Sequence, residues 1–255
     1  MSAVLSAVIA LKSTESRMPA PQKHATSCSK CNLRELCLPG ALGTDDLARI
    51  DNLVYARRRL KKGEALYQAG AAFSALYAIR SGSFKASLID DDGREQVTGF
   101  FMGGELLGLD GLGSGACHAA AVALEDSEVC VLPYSLIEEL AREIPALQRR
   151  LHSVLSREIV RDHGVMMLLG TMRAEQRLAT FLLNLSGRLL RRGYSASEFR
   201  LRMTREEIGS YLGLKLETVS RLFSQFHDAG LIEVDHRHVR IVDTQGLHRL
   251  LNERD

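Results

Sequence analysis

The stretch that decides the fold runs from Met203 to Ile232 and reads MTREEIGSYLGLKLETVSRLFSQFHDAGLI. It contains a capping box, because Thr204 stands three residues before Glu207. In this arrangement the threonine hydroxyl accepts a hydrogen bond from the Glu207 backbone N–H, and the Glu207 carboxylate reaches back to the helix start. The pattern predicts that a helix begins at Arg205.

Two glycines mark where the helices of this stretch end. Gly213 can adopt the left-handed conformation that terminates a helix, so the first helix is predicted to span 205–212. A second helix is predicted over 216–228, just before Gly230. A helix, a short glycine turn and a second helix together form a helix-turn-helix.

The second helix separates an apolar face from a polar face. Its apolar residues recur at helical spacing and are predicted to be buried: Val219, Leu222, Phe223 and Phe226. The candidate DNA-contacting residues lie on another face: Glu217, Ser220 and Arg221. An arginine can bind guanine O6 and N7 together, and a glutamate can accept from cytosine N4. A polar helix face is usually only solvated, but the capped helix and glycine turn before it favour base contacts here.

The remainder of 170–255 fits a winged helix-turn-helix domain. Periodic apolar residues predict a helix over 174–190, and the partly alternating segment 232–241 resembles a β-hairpin wing. From Gly170 onward there are 14 lysines and arginines against 11 aspartates and glutamates, whereas the whole chain has a net charge of only +2. A mildly basic C-terminal part permits nucleic-acid binding but does not demonstrate it.

Composition excludes several classes of protein. The chain has 255 residues, of which 45% are hydrophobic and 25% charged, as in ordinary globular proteins and unlike disordered or disulfide-dense chains. No stretch approaches the roughly 20 apolar residues of a membrane-spanning helix. Residues 1–27 are expected to form a flexible tail. The start of this tail, 1–11, is mildly apolar, but no basic region precedes it and no cleavage site of a signal peptide is convincing, so a cytoplasmic location is expected.

Residues 54–133 are predicted to form a small all-β domain. Nine of the 21 glycines lie between Gly82 and Gly115, a density that disfavours any long helix. Alternation over 84–89 predicts a strand, and Asp92-Gly93 predicts the hairpin turn that follows it. Several short strands punctuated by glycine favour a sandwich or barrel.

Residues 134–169 change to a helical pattern that is interrupted near Pro145. The longer helix beyond the interruption carries one narrow seam: Leu147, Leu151, Leu155, Ile159, Asp162, Met166 and Leu169. Such a seam favours pairing of two chains, although packing against the β domain of the same chain gives the same periodicity. We hypothesise that Asp162 opposes dimerisation, because two facing carboxylates repel each other.

Three of the five cysteines lie within ten residues: Cys28, Cys31 and Cys37. Nothing indicates secretion, so a disulfide framework is not expected. The spacing is compatible with zinc, with an iron–sulfur cluster or with plain thiols. Either metal site needs a fourth ligand, and spacing alone does not choose among His24, Cys117 and Cys130.

Several motifs with unrelated chemistry together resemble those of the fumarate-and-nitrate-reduction (FNR) regulators. These are oxygen-sensing members of the cAMP-receptor-protein (CRP) superfamily. The motifs are the Cys-x2-Cys-x5-Cys run from Cys28, Tyr77-Ala-Ile-Arg-Ser-Gly82, Gly104-Glu-Leu and Glu217-Thr-Val-Ser-Arg221. The resemblance extends over nearly everything from Cys28 to Leu250. It implies an α+β fold with a β-roll sensory domain (28–133), a dimerisation helix (134–169) and a winged helix-turn-helix (170–255).

The resemblance also implies a [4Fe–4S] cluster bound by four cysteines: Cys28, Cys31, Cys37 and Cys130. The fourth cysteine of the family is followed two residues later by Ile or Leu and then by Pro, and Cys130-Val-Leu-Pro133 matches that pattern. Cys117-His-Ala does not match, so Cys117 is expected to be an ordinary thiol. Oxygen would convert the cluster to a smaller form and release the dimer.

A homodimer of this family is expected to bind palindromic DNA resembling TTGAT-N4-ATCAA. By resemblance, Arg221 contacts the guanine, Glu217 the opposing cytosine and Ser220 a region near a thymine. Exposed loops such as 90–93 are expected to contact RNA polymerase. The implied function is global control of anaerobic gene expression, and no enzyme activity is expected.

Cyclic AMP is not expected to be a ligand. The cyclic-nucleotide branch of the superfamily carries an Arg-Ser pair where the cyclic phosphate binds, and residues 115–120 contain no arginine.

Two alternatives to the iron–sulfur regulator remain. One keeps the DNA-binding domain but replaces the cluster with a zinc or thiol redox switch. The other is a redox enzyme, because Gly111–Ala116 fits the dinucleotide motif G-x-G-x-x-A, although no clear strand precedes it and no long helix follows.

Overall fold

The computed structural model describes residues 28–252 except 41, 52, 53, 55 and 91. The expected flexible tail (1–27) and His24 lie outside the described residues. Helix α1 (Thr44–Ile50) precedes eight strands: β1 (Ala56–Leu60), β2 (Ala65–Tyr67), β3 (Ala75–Ser81), β4 (Ser83–Ile89), β5 (Glu95–Met102), β6 (Leu106–Leu107), β7 (Ala120–Ala123) and β8 (Ser127–Pro133). The later elements are α2 (Tyr134–Glu143), α3 (Pro145–Thr171), α4 (Ala174–Leu190), β9 (Glu198–Arg200), α5 (Arg205–Leu212), α6 (Leu216–Asp228), β10 (Ile232–Asp235), β11 (His238–Ile241) and α7 (Thr244–Asn252).

The β domain consists of two four-stranded antiparallel sheets, ordered β1-β8-β3-β6 and β2-β7-β4-β5. One apolar cluster takes side chains from both sheets, including Ile79, Phe84 and Val129. The turn predicted at Asp92-Gly93 is confirmed, and Gly93 takes φ +79° between β4 and β5. This arrangement is the sandwich that the glycine-punctuated sequence predicted.

Two helices follow the β domain, with the interruption at Ile144, next to the predicted break near Pro145. Ile144 is extended, with φ −120°, and Pro145 occupies the first turn of α3, where its missing N–H costs nothing. Leu147 and Leu151, near the start of α3, pack into the core that also contains Leu38 and Ile137. The N-terminal part of α3 is therefore anchored on the sensory domain.

The C-terminal domain is a winged helix-turn-helix. The predicted capping box is present, with Glu207 N donating to Thr204 Oγ1 (3.1 Å) and Thr204 N donating to the Glu207 carboxylate (2.7 Å). Gly213 ends α5 in the left-handed region, with φ +63°. The wing pairs β10 with β11 in antiparallel register, and β9 extends that sheet.

The two domains share one apolar core. Side chains of β5 join the cluster of the C-terminal domain, and Phe100 of β5 lies 6.0 Å from Phe181 of α4 and 5.3 Å from Tyr211 of α5, between ring centroids. Ser210 of α5 donates to Glu95 O (3.1 Å) and accepts from Val97 N (2.8 Å). The first helix of the helix-turn-helix thus docks directly on β5.

The α+β class predicted from the sequence is confirmed. Helices α1 and α7 were not predicted. None of the helices in the described part of the chain is long and apolar enough to cross a membrane.

Candidate functional site

The segment 28–37, here called the cysteine loop, is a succession of tight turns. Short 3₁₀ turns cover Cys28–Lys30 and Arg34–Leu36. Cys31 N donates to Cys28 O (3.1 Å), and Cys37 N donates to Arg34 O (3.1 Å). This folding turns the three cysteines of the loop toward the β domain.

A small, mainly apolar cavity brings the loop cysteines together with Cys130, so that all four predicted ligands line it. Cys130 lies on β8, paired with Arg57 of β1 and with Ala78 of β3. The structure places Cys117 elsewhere, buried and outside this cavity. The cysteine that the motif at 130–133 indicates, Cys130, is therefore the one that lies beside the cysteine loop.

Burial dominates the ionisation of these thiols. Burial raises the pKa of Cys28 and the pKa of Cys37 to about 12, and it also raises the pKa of Cys130. The guanidinium groups of Arg57 and Arg80 act on Cys130 in the opposite direction. Burial therefore favours the neutral form of Cys28, Cys37 and Cys130, and binding a metal group as thiolates would release their protons.

The surroundings of Cys130 suit an anionic group. Arg57 Nε, beside Cys130, is buried without a hydrogen-bond partner among the described atoms. An iron–sulfur cluster with four thiolate ligands is anionic, so this cation would offset part of its charge. Among the described residues, no group of three or more His, Cys, Asp or Glu side chains is arranged so that it could hold a metal ion.

Two hydrogen-bonded links attach the cysteine loop to neighbouring elements. Arg150 of α3 donates to Cys37 O (2.8 Å) and to Glu35 O (2.9 Å). Ser29 donates to the Asp51 carboxylate from its backbone N–H (3.0 Å) and from its hydroxyl (2.8 Å). The first link connects the loop to the long helix, and sequence reasoning missed both because the partners are remote in the chain.

The second candidate surface is the exposed face of α6. Glu217, Ser220 and Arg221 are all exposed, whereas the four predicted apolar residues of the helix are buried. Glu217 and Arg221 form no salt bridge within the described part of the chain. Lys215 is also exposed at the start of the helix, where its cation can meet a phosphate. The face is therefore available for contact with DNA.

The predicted dimerisation seam on α3 divides into packed ends and an exposed middle. Leu151 and Leu155 pack on the sensory core, and Leu169 packs on the core of the C-terminal domain. Ile159, Asp162 and Met166 are exposed, Ile159 to 56% and Met166 to 61%. The sequence was compatible both with pairing of two chains and with packing inside one chain. The two ends of the seam pack inside the chain.

The dinucleotide motif of the enzyme alternative has the wrong structural context. Gly111 is the last residue of a 3₁₀ turn, and the segment 111–116 is followed by strand β7, which begins at Ala120. A dinucleotide site needs the motif to open a helix, whose N-terminus binds the pyrophosphate. Residues 111–116 therefore do not form such a site.

Known protein families match both the sensory domain and the DNA-binding domain of the chain. The family described as "Crp-like helix-turn-helix domain" matches residues 176–250, and the "Cyclic nucleotide-binding domain" family matches residues 57–143. The transcriptional regulatory protein btr of Bordetella pertussis is 47% identical over 90% of this chain and 95% of its own length. The fumarate and nitrate reduction regulatory protein of Escherichia coli K12 is 40% identical over 89% of this chain and 90% of its own.

A solved structure shows the same architecture. FixK2 of Bradyrhizobium japonicum superposes with a TM-score of 0.70 at 32% sequence identity, covering 76% of this chain and 96% of that chain. Fold, exposed recognition helix and relatives together define a DNA-binding transcription regulator and not an enzyme. Within that class, the chain belongs to the CRP/FNR family and is an FNR-type regulator.

Proposed function

We propose that the protein is an oxygen-responsive regulator of anaerobic gene expression that holds a [4Fe–4S] cluster. The observation that carries the proposal is the single cavity lined by Cys28, Cys31, Cys37 and Cys130. When bound, the cluster supplies an oxygen-sensitive bridge between the cysteine loop and strand β8. Cys130 would fix one side of that bridge on the sheet, and the loop cysteines would fix the other.

We favour a cluster over a zinc or thiol redox switch because the four cysteines that the family resemblance implies as cluster ligands all line one cavity. Arg57 Nε, buried beside Cys130 without a hydrogen-bond partner among the described atoms, would offset part of the cluster's negative charge. Metal analysis separates the three cases, since the cluster contains iron and sulfide, the zinc switch contains zinc and the thiol switch contains no metal.

The link between the cluster site and dimerisation runs through α3. Arg150 connects the cysteine loop to this helix, whose exposed middle turns carry Ile159, Asp162 and Met166. We propose that two copies pair along this exposed part, and that Asp162 keeps the pairing weak enough for the cluster to control it. A few kcal/mol suffice for such control when the equilibrium is close to balance.

The dimer would present two copies of α6 to palindromic DNA of the TTGAT-N4-ATCAA type. Adjacent major-groove half-sites lie about 34 Å apart, which sets the separation that the two recognition helices need. We assign Arg221 to the guanine, Glu217 to the cytosine opposite it and Ser220 to a neighbouring thymine. The protein would act in the cytoplasm, with the β4–β5 hairpin around Asp90 and Gly93 as a contact for RNA polymerase.

We propose that no cyclic nucleotide takes part. Residues 115–120 stand where the cyclic-nucleotide branch binds the phosphate, and backbone N–H groups of this segment already bind a carboxylate. Asp110 Oδ2 accepts from His118 N and from Ala119 N, both at 2.8 Å. A phosphate in the same place would lose these donors and would also be repelled by the Asp110 charge.

The decisive experiment uses the full chain purified without oxygen. Absorbance spectra, iron and sulfide analysis, sedimentation and DNA binding are measured before and after exposure to air. The proposal expects broad brown absorption, about four irons per chain, a dimer and palindrome binding, all lost in air. A colourless protein with one zinc or no metal would refute the cluster while leaving the DNA-binding assignment intact.

A further inference from the structure

The turn between β5 and β6, residues Gly103, Gly104 and Glu105, contacts the cysteine loop on one side. A Cβ placed on Gly103 would lie 2.9 Å from Leu33 Cδ1. Gly104 has φ +86°, and a Cβ there would lie 2.7 Å from Leu36 Cβ. The loop therefore packs directly on the backbone of this turn, and at Gly104 the positive φ together with the contact to Leu36 Cβ requires glycine.

On its other side the same turn binds the DNA-binding domain through Glu105. Arg188 of α4 forms a two-bond fork with the carboxylate, with Nε 3.2 Å from Oε1 and Nη2 2.6 Å from Oε2. Arg192, one helical turn later, donates to Oε1 (2.6 Å) and to Gly103 O (2.7 Å). Arg188 also donates to Phe100 O (2.7 Å), so two arginines hold both the side chain and the backbone of the turn.

This cluster is shielded from water, which makes it unlike an ordinary surface ion pair. The side chain of Arg192 is 4% exposed and that of Glu105 is 20% exposed. Burial alone would raise the pKa of Glu105, but Arg188 and Arg192 outweigh it and the pKa is lowered. The carboxylate is therefore ionised, its hydrogen bonds are charge-assisted, and the two from the Nη2 atoms are short at 2.6 Å.

The connection between the long helix and the DNA-binding domain makes this contact important. Met172 and Arg173, both extended, are the residues between α3 and α4. Arg177 Nε donates to Met172 O (2.9 Å) and Arg173 N donates to Gln176 Oε1 (3.0 Å), so these bonds join the connection to α4 rather than to the sensory domain. The orientation of α4 on the sensory domain therefore depends on docking contacts, and the Glu105 cluster is a largely buried polar contact between the two.

We propose that Glu105 is a positioning residue for DNA recognition. It fixes α4, and with it the recognition helix α6, at the separation from the partner's α6 that a palindrome requires. The cysteine loop packs on the opposite side of the same turn and so helps to hold Glu105 in position for Arg188 and Arg192. The inference rests on the proposed palindrome-binding dimer and adds a second route by which the cluster site affects DNA binding.

The test compares Glu105→Gln with the wild-type full chain, both without oxygen. Binding is measured on the palindrome, on the palindrome with its spacer lengthened by two base pairs and on DNA with a single half-site. Glu105→Gln should bind the palindrome at least about tenfold more weakly, since hydrogen bonds to charged groups are among the stronger ones. Binding to a single half-site should stay within about twofold, because one domain alone needs no fixed partner separation. Discrimination against the long spacer should fall.

A matched control is Glu125→Gln. Glu125 also joins the two domains, through Arg202 at 3.2 Å, but the side chain of Arg202 is 48% exposed. This variant should keep the wild-type preference for the palindrome, as expected for an exposed pair. Sedimentation and absorbance verify that each variant is a cluster-containing dimer.

The outcomes separate the inference from the function on which it rests. The inference is overturned if Glu105→Gln keeps the wild-type ratio of palindrome to half-site affinity. If Glu105→Gln does not fold, Arg188→Lys keeps the charge but loses the fork; it should change that ratio in the same direction, and an unchanged ratio overturns the inference. A wild-type protein without preference for the palindrome would refute the proposed DNA site, and the role of Glu105 with it.

Discussion

Arg221 offers the side chain on which base discrimination should depend most. It is exposed in the first half of α6 and has no salt-bridge partner in the described chain, so its planar fork is available for a guanine. Arg221→Ala should lose about 1–3 kcal/mol of discrimination between the palindrome and scrambled DNA. Competition binding at fixed salt concentration measures this loss.

Lys215→Ala provides the comparison, because a phosphate contact carries no sequence information. It should weaken binding to both DNAs about equally and reduce the salt dependence. The assignment of Arg221 is wrong if its variant discriminates as well as the wild type does.

The two cysteine candidates for the fourth ligand, Cys117 and Cys130, offer a matched pair of substitutions. Cys130 lines the cavity beside the cysteine loop, whereas Cys117 is 4% exposed in another part of the β domain. Cys130→Ser should abolish cluster absorbance in protein prepared without oxygen, and Cys117→Ser should retain about four irons per chain. If iron analysis finds about four irons per chain in Cys130→Ser, the assignment of Cys130 as a ligand is refuted.

Among the helices, α3 carries the predicted control of assembly. Two opposed Asp162 carboxylates about 4 Å apart would cost about 4 kcal/mol at an effective dielectric constant near 20, before relaxation. Asp162→Ala should therefore tighten dimerisation at least tenfold. It should give a dimer in air without the cluster.

Sedimentation in air distinguishes this expectation from a solvated Asp162 with no partner. Asp228→Ala, which removes an exposed aspartate from α6, should remain a monomer under the same conditions. An Asp162→Ala protein that is also monomeric in air would contradict the hypothesis.

The start of α3 also stabilises the cysteine loop, and adjacent arginines allow a controlled test. Arg150 donates to two carbonyls of the loop, while Arg149 is exposed. Arg150→Ala should lower the free energy of unfolding by about 1–2 kcal/mol and shorten the lifetime of the cluster. Arg149→Ala should change neither quantity measurably. Equal behaviour of the two variants in thermal melts and in cluster decay would contradict this role.

Across the whole molecule, local signals were readable from the sequence and remote contacts were not. Thr204, Glu207 and Gly213 act within a few residues of one another, so the capping box and the end of α5 could be predicted. Arg188 lies 83 residues from Glu105, and no periodicity connects them. The cysteine motif could identify Cys130, but only folding reveals the buried Arg57 Nε beside it.

The shared core of the two domains has a consequence for how the protein unfolds. Val97, Phe100 and Met102 of β5 belong to the same apolar cluster as Leu178 and Phe181 of α4. Removing either domain would expose this surface to water and forfeit its hydrophobic stabilisation. The sensory domain and the DNA-binding domain should therefore unfold together in one cooperative thermal transition. A fragment that begins at Gly170 should be poorly soluble and should not act as an independent DNA-binding module.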